Sequence, residues 1–131
     1  MPHIASCSFG KDSVATIILA LEQGELLDGV LYCEVMFTKE ISGEVPEHRE
    51  FIYNTAIPWI EKQGVPVHVV KTEYTFLDCF FHKLTRSRLP ERVGKFSGMP
   101  LPNGCMINNY CKVKTIKEYK KKNFTEDMIQ Y

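Results

Sequence analysis

Three short runs along the chain are almost continuously apolar or β-branched: HIASCS (3–8), GVLYCEVMF (29–37) and VPVHVVK (65–71). Each is bounded by turn formers, the pattern of a parallel strand covered on both faces. The segments between them switch to helical spacing. Val14, Ile17, Ile18 and Leu21 recur at i, i+3, i+4 and i+7, and Gly24 follows as a stop. Phe51, Ile52, Thr55, Ala56, Trp59 and Ile60 predict a second helix over 47–63, with a kink or new turn at Pro58. Strand, helix, strand, helix, strand predicts a doubly wound α/β fold, a mostly parallel sheet flanked by helices with right-handed crossovers.

The second half is less regular. Residues 75–88 have helical spacing through Phe76, Cys79, Phe80, Lys83 and Leu84. Residues 90–104 hold three glycines and three prolines and predict a loop, long enough to suggest a functional one. Residues 109–122 return to helix, with Cys111, Thr115 or Ile116, and Tyr119 facing inward. Met128 to Tyr131 has strand character, either as a short edge strand or as the point where a longer protein has been cut.

At 131 residues the chain fits one domain, and 44% hydrophobic with 24% charged residues is ordinary for a globular protein. No apolar run approaches the ~20 residues that span a bilayer. The opening MPHIASCS lacks a basic region followed by an apolar stretch, so a cytoplasmic protein without membrane contact is expected. Five cysteines, odd in number and widely spaced, argue against a disulfide framework, and the lack of any C-x-x-C pair argues against structural zinc. Cys7 and Cys33 are expected to be buried thiols. His3, His48, His68 and His82 show no metal-like spacing, and Glu44, Glu47 and Glu50 are expected to be solvated charges at a helix start.

Charge changes the picture more. Residues 1–82 carry 5 basic and 12 acidic residues, whereas residues 83–122 carry 11 basic and 2 acidic ones. So basic a block in a neutral chain points to an anionic partner, most simply a phosphorylated ligand, or else to a solvated lysine face around Lys120, Lys121 and Lys122.

The candidate chemistry lies in CSFGKDS, residues 7–13, at the turn from the first strand into the first helix. Ligands in doubly wound sheets bind beyond the carboxyl ends of the strands, at a topological switch point. Such a turn offers free backbone N–H groups and the positive end of a helix dipole, which together attract phosphate. Gly10 lets an anion approach the backbone, Lys11 supplies charge, and the hydroxyls of Ser8 and Ser13 can donate to phosphate oxygens. Asp12 would repel phosphate and is expected to cap the helix or hold magnesium. The common ATPase loop, G-x-x-x-x-G-K-[ST], is not met, because Ala5 stands five before Gly10 and Asp12 follows the lysine.

The short form S-x-G-K-D-S resembles the pyrophosphate loop of the PP-loop, or adenine nucleotide alpha-hydrolase-like, superfamily. With Phe9 in place of the commoner glycine, SFGKDS resembles in particular the phosphoadenosine phosphosulfate (PAPS) reductase family, and YCKVKTIKEY resembles that family's segment of a Cys followed by basic residues. The resemblance covers roughly residues 3–122. It implies an adenine nucleotide, ATP or PAPS, gripped by Ser8, Phe9, Gly10, Lys11 and Ser13, with Lys11 and Asp12 as the catalytic candidates and Asp12 as a magnesium ligand. By the same analogy Arg86, Arg88, Lys112, Lys114 and Lys117 face the nucleotide's anionic end, and the backbone around Val35 and Met36 meets the adenine.

The chain departs from the family in several places. Cys33-Glu34-Val35 stands where members often carry D-T-G, and Tyr110 precedes Cys111 where iron–sulfur members have a second cysteine, so no iron–sulfur cluster is expected. The E-C-G-hydrophobic-H segment of reductive members does not occur in these residues, which leaves sulfite release without its usual nucleophile. The resemblance therefore implies an oxidoreductase of the PAPS reductase kind or an ATP pyrophosphatase-type transferase. The alternatives are a truncated module that binds nucleotide, a protein partner or a second copy of itself without turnover, and a component of a nucleic-acid sulfur-modification system.

Overall fold

The three apolar runs form strands, each shorter than the pattern predicts: β1 (His3–Ser6), β2 (Gly29–Glu34) and β3 (Val67–Lys71). A fourth, β4 (Ile129–Gln130), lies beside β1. The sheet order is β3-β2-β1-β4 and every pairing is parallel. The computed structural model describes residues 1–100, 104–124 and 127–131. The chain steps outward from β1 to β3 and then returns to the far side of β1, so the order reverses between β1 and β4. No helix among the described residues is long and apolar enough to cross a membrane.

Helices cover both faces of the sheet. Helix α1 (Lys11–Glu22) buries Ile17 and Ala20, with Val14 and Leu21 packed against the same core. Beyond β2, α2 (Pro46–Phe51) runs through a π-helical turn (Ile52–Ala56) into α3 (Ile57–Lys62). The proline accounts for the widening. Pro58 has no N–H, and its ring would crowd the carbonyl four residues back in a regular helix. The Ile57 N–H instead reaches the Ile52 carbonyl, five residues back. The extra residue in that turn alters the buried face. Ile52, Ala56, Ile57 and Ile60 are buried, while Phe51 and Trp59, expected inside, are about two-fifths exposed.

On the opposite face lie α4 (Phe76–Phe80), a π-helical segment (Ile107–Val113) and α5 (Lys114–Asn123). Tyr119 and Phe124 pack against His68 of β3. The helix expected over 75–88 stops at Phe80. Its later carbonyls find donors elsewhere: Gly98 N–H bonds to Phe80 O, Ser97 N–H to His82 O, and Gly94 N–H to Leu84 O. Gly94 and Gly98 both have φ near +80° or +70°, which lets the returning segment turn back onto residues 80–84. Residues 90–104, expected to be a loop, contain a 3₁₀ turn at Pro90–Arg92, and residues 101–103 lie outside the described ones.

Helix α4 is short and depends on its cap. Thr75 Oγ1 accepts from the Asp78 N–H, and the Asp78 carboxylate accepts from the Thr75 N–H and hydroxyl. Thr75→Ala is expected to cost about 1 kcal/mol and Thr75→Ser much less, measured as shifts in the urea unfolding midpoint.

Candidate phosphate-binding loop and its surroundings

The segment Cys7–Gly10 leaves β1 at the point where the strand order reverses. The Cys7 N–H still bonds to Leu31 O, continuing the ladder one residue beyond the strand. Phe9 then takes φ of 60°, the left-handed region that favours glycine. A non-glycine residue there costs of order 1 kcal/mol and persists only where its surroundings enforce it. Here the enforcement comes from the side chain. Phe9 is 2% exposed and its ring meets Tyr32 of β2 edge-on at 5.1 Å. Its N–H donates to Cys7 Sγ at 3.3 Å.

Gly10 is the residue preceding the first turn of α1, with φ −68° and ψ 161°, values open to any residue. A Cβ added there would meet only Ser8 Oγ, at an ordinary 3.6 Å. Among the described residues nothing requires a glycine at this position. Among the described residues no side chain caps α1, so of the two roles expected for Asp12, capping or holding magnesium, the capping one does not hold. Asp12 sits inside the first turn, exposed, where its charge suits the dipole. Ser13 Oγ donates to Gly10 O at 3.0 Å and lies 3.4 Å from Ser8 Oγ, with Cys7 Sγ 3.5 Å away. Lys11 is exposed and lines a groove of about 480 Å³ with Val14, Ile18, His48 and Phe51.

The other sequence-predicted residues are dispersed. None of Arg86, Arg88, Lys112, Lys114 or Lys117 lines the groove at Lys11. Arg86 lines a cavity beside Cys79, and Arg88 and Lys117 are exposed. Lys114 lines a groove between β3 and α5 and is 3.9 Å from Glu118. Lys112 acts on Cys33 at the carboxyl end of β2: burial pushes that thiol up to about 11, against the pull of the Lys112 charge. The Met36 N–H donates to Thr72 Oγ1 and its carbonyl accepts from Phe76, while the Val35 carbonyl accepts from Gly43. These groups hold the loop after β2 in place, and the Met36 N–H is not free for an adenine edge.

Two features escaped the sequence pattern. Lys120, grouped with its neighbours as a solvated run, instead donates to Ser6 Oγ at 3.3 Å and Gln130 Oε1 at 2.9 Å, bridging β1 and β4. Burial holds its ammonium below the ordinary lysine value. Glu34 ends β2 with no exposed surface, accepts from Arg49 Nε at 2.7 Å and Tyr53 Oη at 2.6 Å, and has Lys71 Nζ at 3.9 Å. Arg49 also lies over the Tyr53 ring, 4.7 Å from its centroid. Glu44, expected to be a solvated charge, accepts from the Tyr32 hydroxyl at 3.1 Å. The available signal was a carboxylate closing an otherwise apolar strand, since a charge buried there requires a partner.

Burial raises the Glu34 pKa, but hydrogen bonds from Ser42, Tyr53 and Arg49 and the Arg49 charge outweigh it, so the net value is depressed. A depressed carboxylate stabilises the fold above its unfolded pKa, about 4.3, and that contribution is lost as pH falls through the lower folded value. Glu34→Gln is therefore expected to lower stability at neutral pH by about 2 kcal/mol and to flatten the acid limb of a stability-against-pH profile from urea melts. Phe9→Gly relieves the backbone yet removes the ring beside Tyr32, and a net loss of roughly 2–4 kcal/mol is expected by the same measurement.

No protein-family model, curated protein or solved structure matches this chain.

Proposed function

We propose that this chain is a PP-loop nucleotide-binding protein of the PAPS reductase kind, which holds the phosphate chain of an adenine nucleotide, ATP or PAPS, at residues 8–13. The observation that carries this reading is the position of S-F-G-K-D-S. It occupies the turn from β1 into the uncapped N-terminus of a 12-residue helix, where the strand order reverses.

The first-turn N–H groups and Lys11 would receive the phosphate oxygens, and they would stabilise the charge that develops when the chain is cleaved. Ser8 is exposed, and its hydroxyl would turn from Ser13 Oγ, 3.4 Å away, to reach a ligand, just as Ser13 must give up its bond to Gly10 O to donate. Magnesium commonly binds through one or two carboxylates together with substrate phosphates, and the single exposed carboxylate of Asp12 fits that arrangement. Its chemistry would be to neutralise phosphate charge. Cleavage between the α and β phosphates, in which an acceptor substrate attacks the α phosphorus and pyrophosphate leaves, asks for such charges and no protein thiol. Reductive sulfur release asks for a thiol that a bound nucleotide can reach; four of the five cysteines are buried, and Cys105, half-buried, does not line the groove at Lys11. Cys7, within the loop segment, is engaged with Phe9 and Ser13. The ATP pyrophosphatase type of chemistry is therefore favoured over the reductase type.

Titration with ATP, PAPS and AMP is expected to show tighter binding of the first two. Lys11→Ala should weaken ATP binding by at least tenfold, in line with the loss of a charged hydrogen bond worth about 1.5–3 kcal/mol. Pyrophosphate release then separates turnover from binding alone. Failure of either nucleotide to bind, or an unchanged affinity in Lys11→Ala, overturns the assignment of the loop.

A further inference from the structure

Two thiols from distant parts of the chain meet on the α5 face of the sheet. Cys79 Sγ of α4 and Cys111 Sγ of the 107–113 segment are 3.3 Å apart, and the residues are 2% and 0% exposed. Thirty-two positions separate them in sequence, so their spacing gives no hint of a pair. Cys33 of β2 touches the same place, its Sγ 4.0 Å from the Cys111 carbonyl. A cavity of about 180 Å³ opens beside Cys79, with Arg86, Arg92 and Ser97 on its walls. That volume exceeds the roughly 30 Å³ a water occupies in the liquid, and it admits a small oxidant.

We propose that Cys79 and Cys111 are a redox-modification site, a dithiol that closes to a disulfide when a peroxide enters the cavity beside Cys79. This inference stands apart from the nucleotide reading. In the first step the Cys79 sulfur, having lost its proton, attacks one peroxide oxygen. The O–O bond breaks, Cys79 becomes a sulfenic acid, and the departing hydroxide takes up the proton to leave as water. In the second, the Cys111 sulfur attacks the sulfenic sulfur, and the hydroxide displaced leaves with the Cys111 proton as a second water. Two thiols are oxidised by two electrons and one peroxide is reduced to two waters. The sulfur atoms have about 1.3 Å to travel to reach bonding distance. The cross-link fastens α4 to the start of the basic helix. Burial holds both thiols above the ordinary cysteine value, with Cys111 pushed up to about 12, so the thiolate that attacks the peroxide is a small fraction and the oxidation is slow.

The test is to treat the full folded chain with hydrogen peroxide, alkylate the remaining thiols and map the peptides without reduction. The expected result is a loss of two hydrogens in intact mass, a peptide linking Cys79 to Cys111, and restoration by dithiothreitol. Cys105→Ser is expected to keep the link, and the same treatment in urea is expected to lose its selectivity. The proposal is overturned if Cys79 and Cys111 are both recovered alkylated, or if either is linked to another cysteine instead. It is equally overturned if one stops at a sulfinic acid. Because the wild-type map decides, the outcome does not depend on whether Cys79→Ser or Cys111→Ser folds.

Discussion

Strand β2 is buried at all six residues, and the rest of the molecule is arranged around satisfying it. A strand in this position must find a partner on every side, because neither its faces nor its edges meet water. Alternate side chains point to opposite layers. Val30, Tyr32 and Glu34 meet α1 and the 46–62 helical run, while Cys33 meets the segment that leads into α5. Each of the three features singled out above is tied to one of these side chains. Tyr32 carries Phe9 and hence the loop, Glu34 gathers Arg49 and Tyr53, and Cys33 adjoins the thiol pair.

The loop therefore owes its shape to the core more than to its own letters. Glycine is the residue that takes φ of 60° without strain, and the commoner form of the resembled motif has glycine at that position. Here phenylalanine occupies it, and the ring holds the conformation by filling space against Tyr32. The backbone penalty, about 1 kcal/mol, is small beside what burying a ring contributes. Gly10 needs no special dihedral and fills no tight corner. Its place in the motif is consistent with access from outside, the reading on which the proposed phosphate contact rests.

The basic block behaves differently from a single patch. Lys120 bridges β1 and β4, Arg86 and Arg92 line the cavity at Cys79, and Lys114 lies along the outer side of β3. Helical geometry explains part of this. Lys112, Lys114 and Lys117 lie on a helix at spacings that cannot share one face, and the π-helical segment ending at Val113 changes the rotation between the first and the others. A count of charges in sequence cannot distinguish these destinations, since each depends on which layer packs against the helix.

Local physics was legible in the chain by itself. Apolar runs too short for helices gave the strands, their order of alternation gave a parallel α/β sheet, and Gly-Lys-Asp-Ser after the first strand marked the loop. Those inferences depend on neighbours in sequence, where side-chain period and turn chemistry act directly. Only the tertiary structure decided how the helix over 75–88 would end, because its carbonyls are satisfied by Gly94, Ser97 and Gly98 from a returning segment. Only it paired Glu34 with Arg49, Cys79 with Cys111, and Lys120 with Ser6 and Gln130. Each of these joins residues 10 to 114 positions apart. A buried charge, thiol or ammonium finds its partner through the packing of layers, and no periodicity along the chain records that choice.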